Sequence, residues 1–197
     1  MKNRLMMLLV VLGVSLTASA WAAYGNSYST YAKESTAPDR QGRWDLGIGV
    51  AAGMNDSADD AAFVYGQISY GVTPYIGLGI EAGWEEADSS INSDSIGVVP
   101  VLGDIILRIP NLHEALVPYG ILGLGAAGVY ASRDNLDDVD DTGFTWKLGA
   151  GADWFMNSNW ILNFEFAYWN ADVKLAGTSA NDGFDWWTVG MALKYVF

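Results

Sequence analysis

Eight charged residues interrupt stretches that are otherwise apolar or built of small side chains. They are Asp45, Glu81, Asp104, Asp153 and Glu165 against Arg108, Lys147 and Lys194. Acids and bases placed this way can do one of two things. Paired and hydrogen-bonded, they fill an interior as a network of ion pairs, because a buried charge without a partner is costly. Left open, they line a polar path for small ions. Glu81 and Glu165 also have the residue type used in general acid–base catalysis. Structural pairing is the favoured reading of all eight.

Other chemistries find less support. The run 134–141 holds Asp134, Asp137, Asp138, Asp140 and Asp141, and carboxylate oxygens are the ligands of hard cations. Its spacing lacks the turn glycine and closing glutamate of an EF-hand, so it is a weak metal candidate and reads first as a solvated, repulsive surface. The absence of Cys excludes a disulfide scaffold, a thiolate zinc site and a Cys nucleophile. The single His, His113, stands beside Glu114 in an expected turn and leaves little room for zinc or imidazole catalysis. Ser89, Ser90 and Ser179 have no His on their side of the fold to act as base. Gly123-Leu124-Gly125-Ala126-Ala127-Gly128 matches a dinucleotide fingerprint, but the strand pattern runs on through Tyr130 with no helix behind it, so the match is accidental. No cofactor is called for.

The elements that must carry these residues have period two. Ile76, Leu78, Ile80, Ala82 and Trp84 alternate with Gly77, Gly79, Glu81, Gly83 and Glu85; Trp44, Leu46, Ile48 and Val50 alternate with Asp45, Gly47, Gly49 and Ala51. Alternation of this kind marks strands with two unlike faces. Eight such segments follow one another: 44–53, 62–71, 76–85, 97–109, 117–130, 143–155, 160–169 and 186–197. Each is about ten residues, the length at which a tilted strand crosses a bilayer. Short connections (Gly71 to Pro74, Met156 to Asn159) alternate with longer ones at 54–61, 86–96, 131–142 and 170–185, as in an antiparallel meander with its short turns at one end. The link from Pro110 to Leu116 is long for the short-turn end. The fold expected is all-β, an eight-stranded antiparallel up-and-down transmembrane β-barrel. Closure removes the unpaired edges that hydrocarbon would penalise. It also makes the first and last strands neighbours, so Asp45 can meet Lys194; the sixth and seventh are neighbours, so Lys147 can meet Glu165; and Glu81, Asp104 and Arg108 share the wall of the third and fourth.

Three features place lipid, and not water, outside this barrel. The inner face is crowded with glycine (Gly47, Gly49, Gly77, Gly79, Gly83, Gly123, Gly125, Gly149, Gly151 and Gly190), which suits a cramped interior better than a water-facing sheet. Aromatics gather at both strand ends. Trp44, Tyr70, Tyr75, Trp154, Trp160, Tyr195 and Phe197 are expected at the short-turn girdle; Phe63, Trp84, Tyr130, Phe144, Trp146, Tyr168 and Trp187 are expected at the other. The last strand alternates Val189, Met191, Leu193, Tyr195 and Phe197 up to the final residue. With this ending, the chain resembles the small outer-membrane barrels of the OmpA transmembrane-domain, OmpX and OmpW kind, over about residues 42 to 197. The resemblance implies that Val189, Met191, Leu193, Tyr195 and Phe197 form a signal read by the barrel-assembly machinery.

The domain reading is a signal peptide at 1–22, a polar leader at 23–42 and the barrel at 43–197. Lys2 and Arg4 precede a 12-residue apolar run, Leu5 to Leu16, and the small residues Ala18-Ser19-Ala20 and Ala20-Trp21-Ala22 follow. That run is too short for a membrane helix. The full chain has a formal charge of −13, and loss of Lys2 and Arg4 leaves 8 basic against 23 acidic residues. Such a balance gives nucleic acid no basic face to bind. The stretches 54–61, 85–95, 131–142 and 170–185 hold 15 acids and 2 bases, almost all of the imbalance. The expected role is non-enzymatic, in envelope integrity or surface interaction through acidic outer loops, in the bacterial outer membrane. The expected partners are membrane lipid, lipopolysaccharide with shared Ca²⁺ or Mg²⁺, and an unidentified surface partner. The alternatives are a narrow porin-like channel for small or apolar solutes and, less favoured, an outer-leaflet lipid-modifying enzyme.

Overall fold

The structure, a computed structural model, describes residues 39–55, 58–88, 95–110, 115–133, 136–172 and 184–197, with the backbone alone at 55, 58–60, 86–88, 95–96, 130–133, 136–141 and 184. Eight strands follow in order: β1 (Trp44–Asn55), β2 (Ala58–Gly71), β3 (Ile76–Asp88), β4 (Ser95–Arg108), β5 (Leu116–Arg133), β6 (Leu136–Phe155), β7 (Trp160–Asp172) and β8 (Phe184–Val196). Each pairs antiparallel with its neighbours in the chain, and β1 pairs β8, so the sheet closes on itself. No helix among the described residues is long and apolar enough to cross a membrane.

Parity sets the two faces. On β1 the residues Leu46, Ile48 and Val50 point out, and Ile48 is 71% exposed; Asp45, Gly47 and Gly49 point in and are buried. The same inversion holds around the ring, with Leu78, Ile80, Val101, Leu107, Leu124 and Leu148 outside. A water-soluble barrel would put that apolar face inward. Rings lie outside at both ends: Trp44, Tyr75, Trp160, Tyr195 and Phe197 at the short turns, Trp84, Phe144 and Trp187 at the other end. Phe63 departs from the girdle expected of it. It is 2% exposed and faces the lumen, because it shares parity with Tyr65, Gln67 and Ser69, while Val64 takes the outward place. The inner glycines make room for large neighbours lying flat. A β-carbon at Gly49 would come 2.5 Å from the ring of Tyr65, and one at Gly151 would come 2.5 Å from that of Tyr119.

The connections differ from expectation in one respect. Two of the long ones are mostly strand. β1 runs to Asn55 and β2 begins at Ala58; β5 runs to Arg133 and β6 begins at Leu136, with Val129 opposite Asp141 and Tyr130 opposite Asp140. An antiparallel ladder continues past the hydrocarbon as long as its backbone groups find each other. At 18 and 20 residues, β5 and β6 outrun the roughly 9–11 a crossing strand needs. At the other end two turns are held by the same device. Thr73 Oγ1 accepts from the N–H groups of Tyr75 (3.2 Å) and Ile76 (2.9 Å), and Asn157 Oδ1 accepts from those of Asn159 and Trp160, both at 2.9 Å. A side-chain oxygen standing in for a backbone carbonyl closes each turn.

Candidate functional site

The lumen holds every one of the eight charged residues singled out above, and all eight side chains are buried or nearly so. They form two groups at different depths. In the deeper group Lys147, on β6, is fully enclosed. Its ammonium donates to Glu81 Oε2 of β3 at 2.8 Å and to Glu165 Oε1 of β7 at 3.2 Å. The expected neighbour-strand pair of Lys147 with Glu165 is present, but the shorter bond crosses the lumen to Glu81. Gln67 Nε2 ties this group to β4, donating to Asp104 Oδ2 at 3.2 Å and, at 3.4 Å, to Glu81 Oε2. Two carboxylates thus hold one ammonium, and a third, Asp104, is linked to them through Gln67.

The second group lies at the short-turn end. Asp45 and Lys194 were expected to pair as β1–β8 neighbours, and they do not. Asp45 stands opposite Val196, and Lys194 stands opposite Gly47. The Lys194 chain lies along Gly47 and carries its ammonium to 3.7 Å from Asp153 and over the Tyr119 ring. Asp45 is held instead by Ser69 Oγ, which donates to it at 2.8 Å, and by Arg40 at 2.9 Å. Arg108 was grouped with Glu81 and Asp104 on the β3–β4 wall. Its guanidinium turns the other way, with Nη2 3.8 Å from Asp45. Sequence reasoning left two buried charges out of the set: Glu85, on the inward face of β3, and Arg40. Arg40 is 4% exposed and bonds Asp45 and Asp153 together. It precedes the alternating pattern, so period two gave no signal for it; the one hint was an excess of acid over base among the inward positions.

The two groups are joined. Asn163 Nδ2 donates to Asp153 Oδ1 and to the Tyr119 hydroxyl, both at 2.8 Å, and the Tyr119 hydroxyl donates to Glu165 Oε2 at 2.8 Å. A hydrogen-bonded column therefore runs up the lumen from Arg40 to Glu81. Buried ions in such a column are tolerated because each charged group meets an opposite charge or a dipole.

An aromatic layer lies above the column. Tyr65 stacks on Phe63 at 5.5 Å, Phe63 meets Trp169 edge-on at 5.4 Å, and Trp169 stacks on Trp186 at 5.5 Å. The rings reach from β2 across to β7 and β8. Trp169 covers the Lys147 ammonium at 5.1 Å and donates its N–H to Thr188 at 3.0 Å. Between rings and ions lies a cavity of about 10 Å³, lined in part by Tyr65, Glu81, Glu165 and Thr188. It has room for about one water molecule. Glu81 and Glu165 reach it, but a substrate does not fit.

Among the remaining expected positions, Val189, Met191, Leu193 and Tyr195 share the outward face of β8, and Phe197 follows directly after its last residue. Asp134, His113, Ser89, Ser90 and Ser179 lie outside the described residues, as do the side chains of Asp137, Asp138, Asp140 and Asp141. No group of metal-ligating side chains occurs among the described residues.

Comparison with known proteins agrees with this architecture. The family model described as "Outer membrane protein beta-barrel domain" matches residues 6–197. The 31 kDa outer-membrane immunogenic proteins of Brucella melitensis and Brucella suis are each 28% identical over 162 residues, covering 76% of this chain and 65% of theirs. The chain therefore spans just under two thirds of the length of these curated relatives. Neisserial surface protein A superposes with a TM-score of 0.60 at 11% identity, covering 79% of this chain and 96% of its own. Ail of Yersinia pestis, solved in complex with the heparin analogue sucrose octasulfate, superposes with a TM-score of 0.56 at 16% identity, covering 80% and 99%. At such identities the two structures show a shared fold alone.

Proposed function

We propose that this chain, which belongs to the outer membrane protein β-barrel domain family and is a bacterial outer-membrane protein, is a closed, non-enzymatic barrel that acts in envelope structure and surface interaction through the acidic connections at its long end. One observation carries the reading: the lumen is occupied by bonded charges under a layer of rings, with space beside them for about one water. A conducting barrel needs a continuous wet path, so the working surface of this one is its outer end. There the sequence concentrates 14 acids against 2 bases, Glu85 being buried on the inward face of β3. Such a surface repels polysulfates of the kind bound to Ail. It suits a cationic partner, or lipopolysaccharide phosphates reached through shared Ca²⁺ or Mg²⁺. Val189, Met191, Leu193, Tyr195 and Phe197 serve, on this reading, as the strand that the assembly machinery recognises.

The test is complementation. Cells lacking the protein receive either the native chain or one in which Asp134, Asp137, Asp138, Asp140 and Asp141 are changed to Asn. The expected outcome is equal barrel in the outer membrane but a phenotype, whether chelator sensitivity or surface attachment, as in cells lacking the protein. Full function of the Asn variant would contradict the proposal.

A further inference from the structure

The polar leader does not stop at the barrel rim. Arg43 N–H donates to the Arg40 carbonyl at 3.1 Å, closing a turn, and Gly42 sits within it at φ 75°, a left-handed conformation that glycine adopts without strain. The turn hangs on the end of β2. Gly42 N–H donates to the Gly71 carbonyl at 2.8 Å, and Gly71 N–H donates to the Arg43 carbonyl at 2.9 Å. A β-carbon at Gly71 would overlap the Arg40 carbonyl oxygen, so a glycine is needed for this approach. The side chain of Arg40 then points up into the lumen. Its two terminal nitrogens take different carboxylates, Nη2 that of Asp45 on β1 and Nη1 that of Asp153 on β6. The guanidinium lies 5.6 Å from the centre of the Phe155 ring.

This arrangement selects a guanidinium. Two carboxylates on separate strands are met by two different nitrogens of one planar cation, a spread that the point-like ammonium of Lys147, which bonds Glu81 and Glu165 through a single atom, does not match. An aromatic face beside them favours the same flat charge. The other cations at this depth stand farther off, Arg108 at 3.8 Å from Asp45 and Lys194 at 3.7 Å from Asp153. Directly above Gly71 on the same face of β2 is Ser69, fully buried, its hydroxyl bonded to Asp45.

We propose that the short-turn end of the lumen is a guanidinium-binding pocket formed by Asp45, Asp153 and Phe155, that Arg40 occupies it in cis, and that residues 39–43 are therefore a tethered plug which a guanidinium-bearing ligand can replace. The pocket does not depend on what the outer connections bind. Withdrawal of the plug opens a vestibule as far as Ser69, and the Tyr119–Asn163 bridge still closes the column above.

The chain has no Cys, so Ser69→Cys introduces the sole thiol. The full chain, refolded in lipid vesicles, is treated with a trimethylammonium-bearing methanethiosulfonate reagent, and heat-dependent gel mobility confirms the barrel in each variant. With Arg40 in place the thiol reacts slowly. In R40A/S69C it reacts roughly tenfold or more faster, because thiol reactivity follows access. Millimolar methylguanidinium slows the R40A/S69C reaction, and tetramethylammonium at the same concentration does not. Equal rates with and without Arg40 would overturn the plug. Faster reaction that neither cation slows, or that both slow alike, would overturn the guanidinium pocket. Should R40A not refold, R40Q/S69C carries the same comparison.

Discussion

Replacing Lys147 by methionine is expected to destabilise the folded barrel by about 3–5 kcal/mol, the cost of removing one partner from a buried ion pair. The chain length and most of the packing under Trp169 are kept, so the loss is electrostatic. The ammonium is the only cation bonded to Glu81 and Glu165 among the described residues, and its removal leaves two enclosed carboxylates facing each other near Asp104. Urea unfolding from lipid vesicles measures the effect. Adding E81Q and E165Q to K147M should recover most of the loss, since an amide carries no uncompensated charge. This non-additivity is the signature of a coupled group. A cost below about 1 kcal/mol, the value of an exposed pair, would mean that water reaches Lys147 and that the column is open.

Ile80→Lys is expected to cost about 2–4 kcal/mol, the penalty for a charge on the lipid face of a barrel near the bilayer midplane. Ile80 is 58% exposed, lies about midway between the exposed end rings Tyr75 and Trp84 and is flanked across the ladder by Ile68 and Gly103. Val72 is exposed to a similar degree, 41%, but sits in a turn at the barrel's end. Val72→Lys should therefore cost about 0–1 kcal/mol. The contrast between two exposed apolar residues is what distinguishes lipid from water outside. Equal, small costs at both positions would contradict the assignment of the outer face.

The parts of this structure that were legible in the sequence are those governed by parity. Alternation is local, so inward Asp45, Glu81, Lys147 and Glu165 and outward Ile48, Ile80 and Leu148 could be assigned before any pairing was known. Partners across the lumen could not. Whether Asp45 meets Lys194 depends on register, on the tilt of the strands and on which way a long side chain lies over a neighbouring glycine. Here a shift of one inward position sends Lys194 to Asp153. Arg40 was invisible because it belongs to no periodic segment; a turn anchored on Gly71 delivers it. Phe63 shows a second limit. Its ring type and its place near a strand end suggested the girdle, and its parity sent it inward, where it completes the layer with Trp169 and Trp186. The acidic hairpin of β5 and β6 reads as a loop from composition, yet its backbone continues the ladder.

A shut lumen is what separates a plugged barrel from a channel. Purified native protein in a planar bilayer, under a steady applied voltage in salt, tests this directly. The column from Arg40 to the Trp169–Trp186 stack predicts a flat baseline with no lasting current. A steady, reproducible unit conductance from the native chain would contradict it and make the barrel a channel.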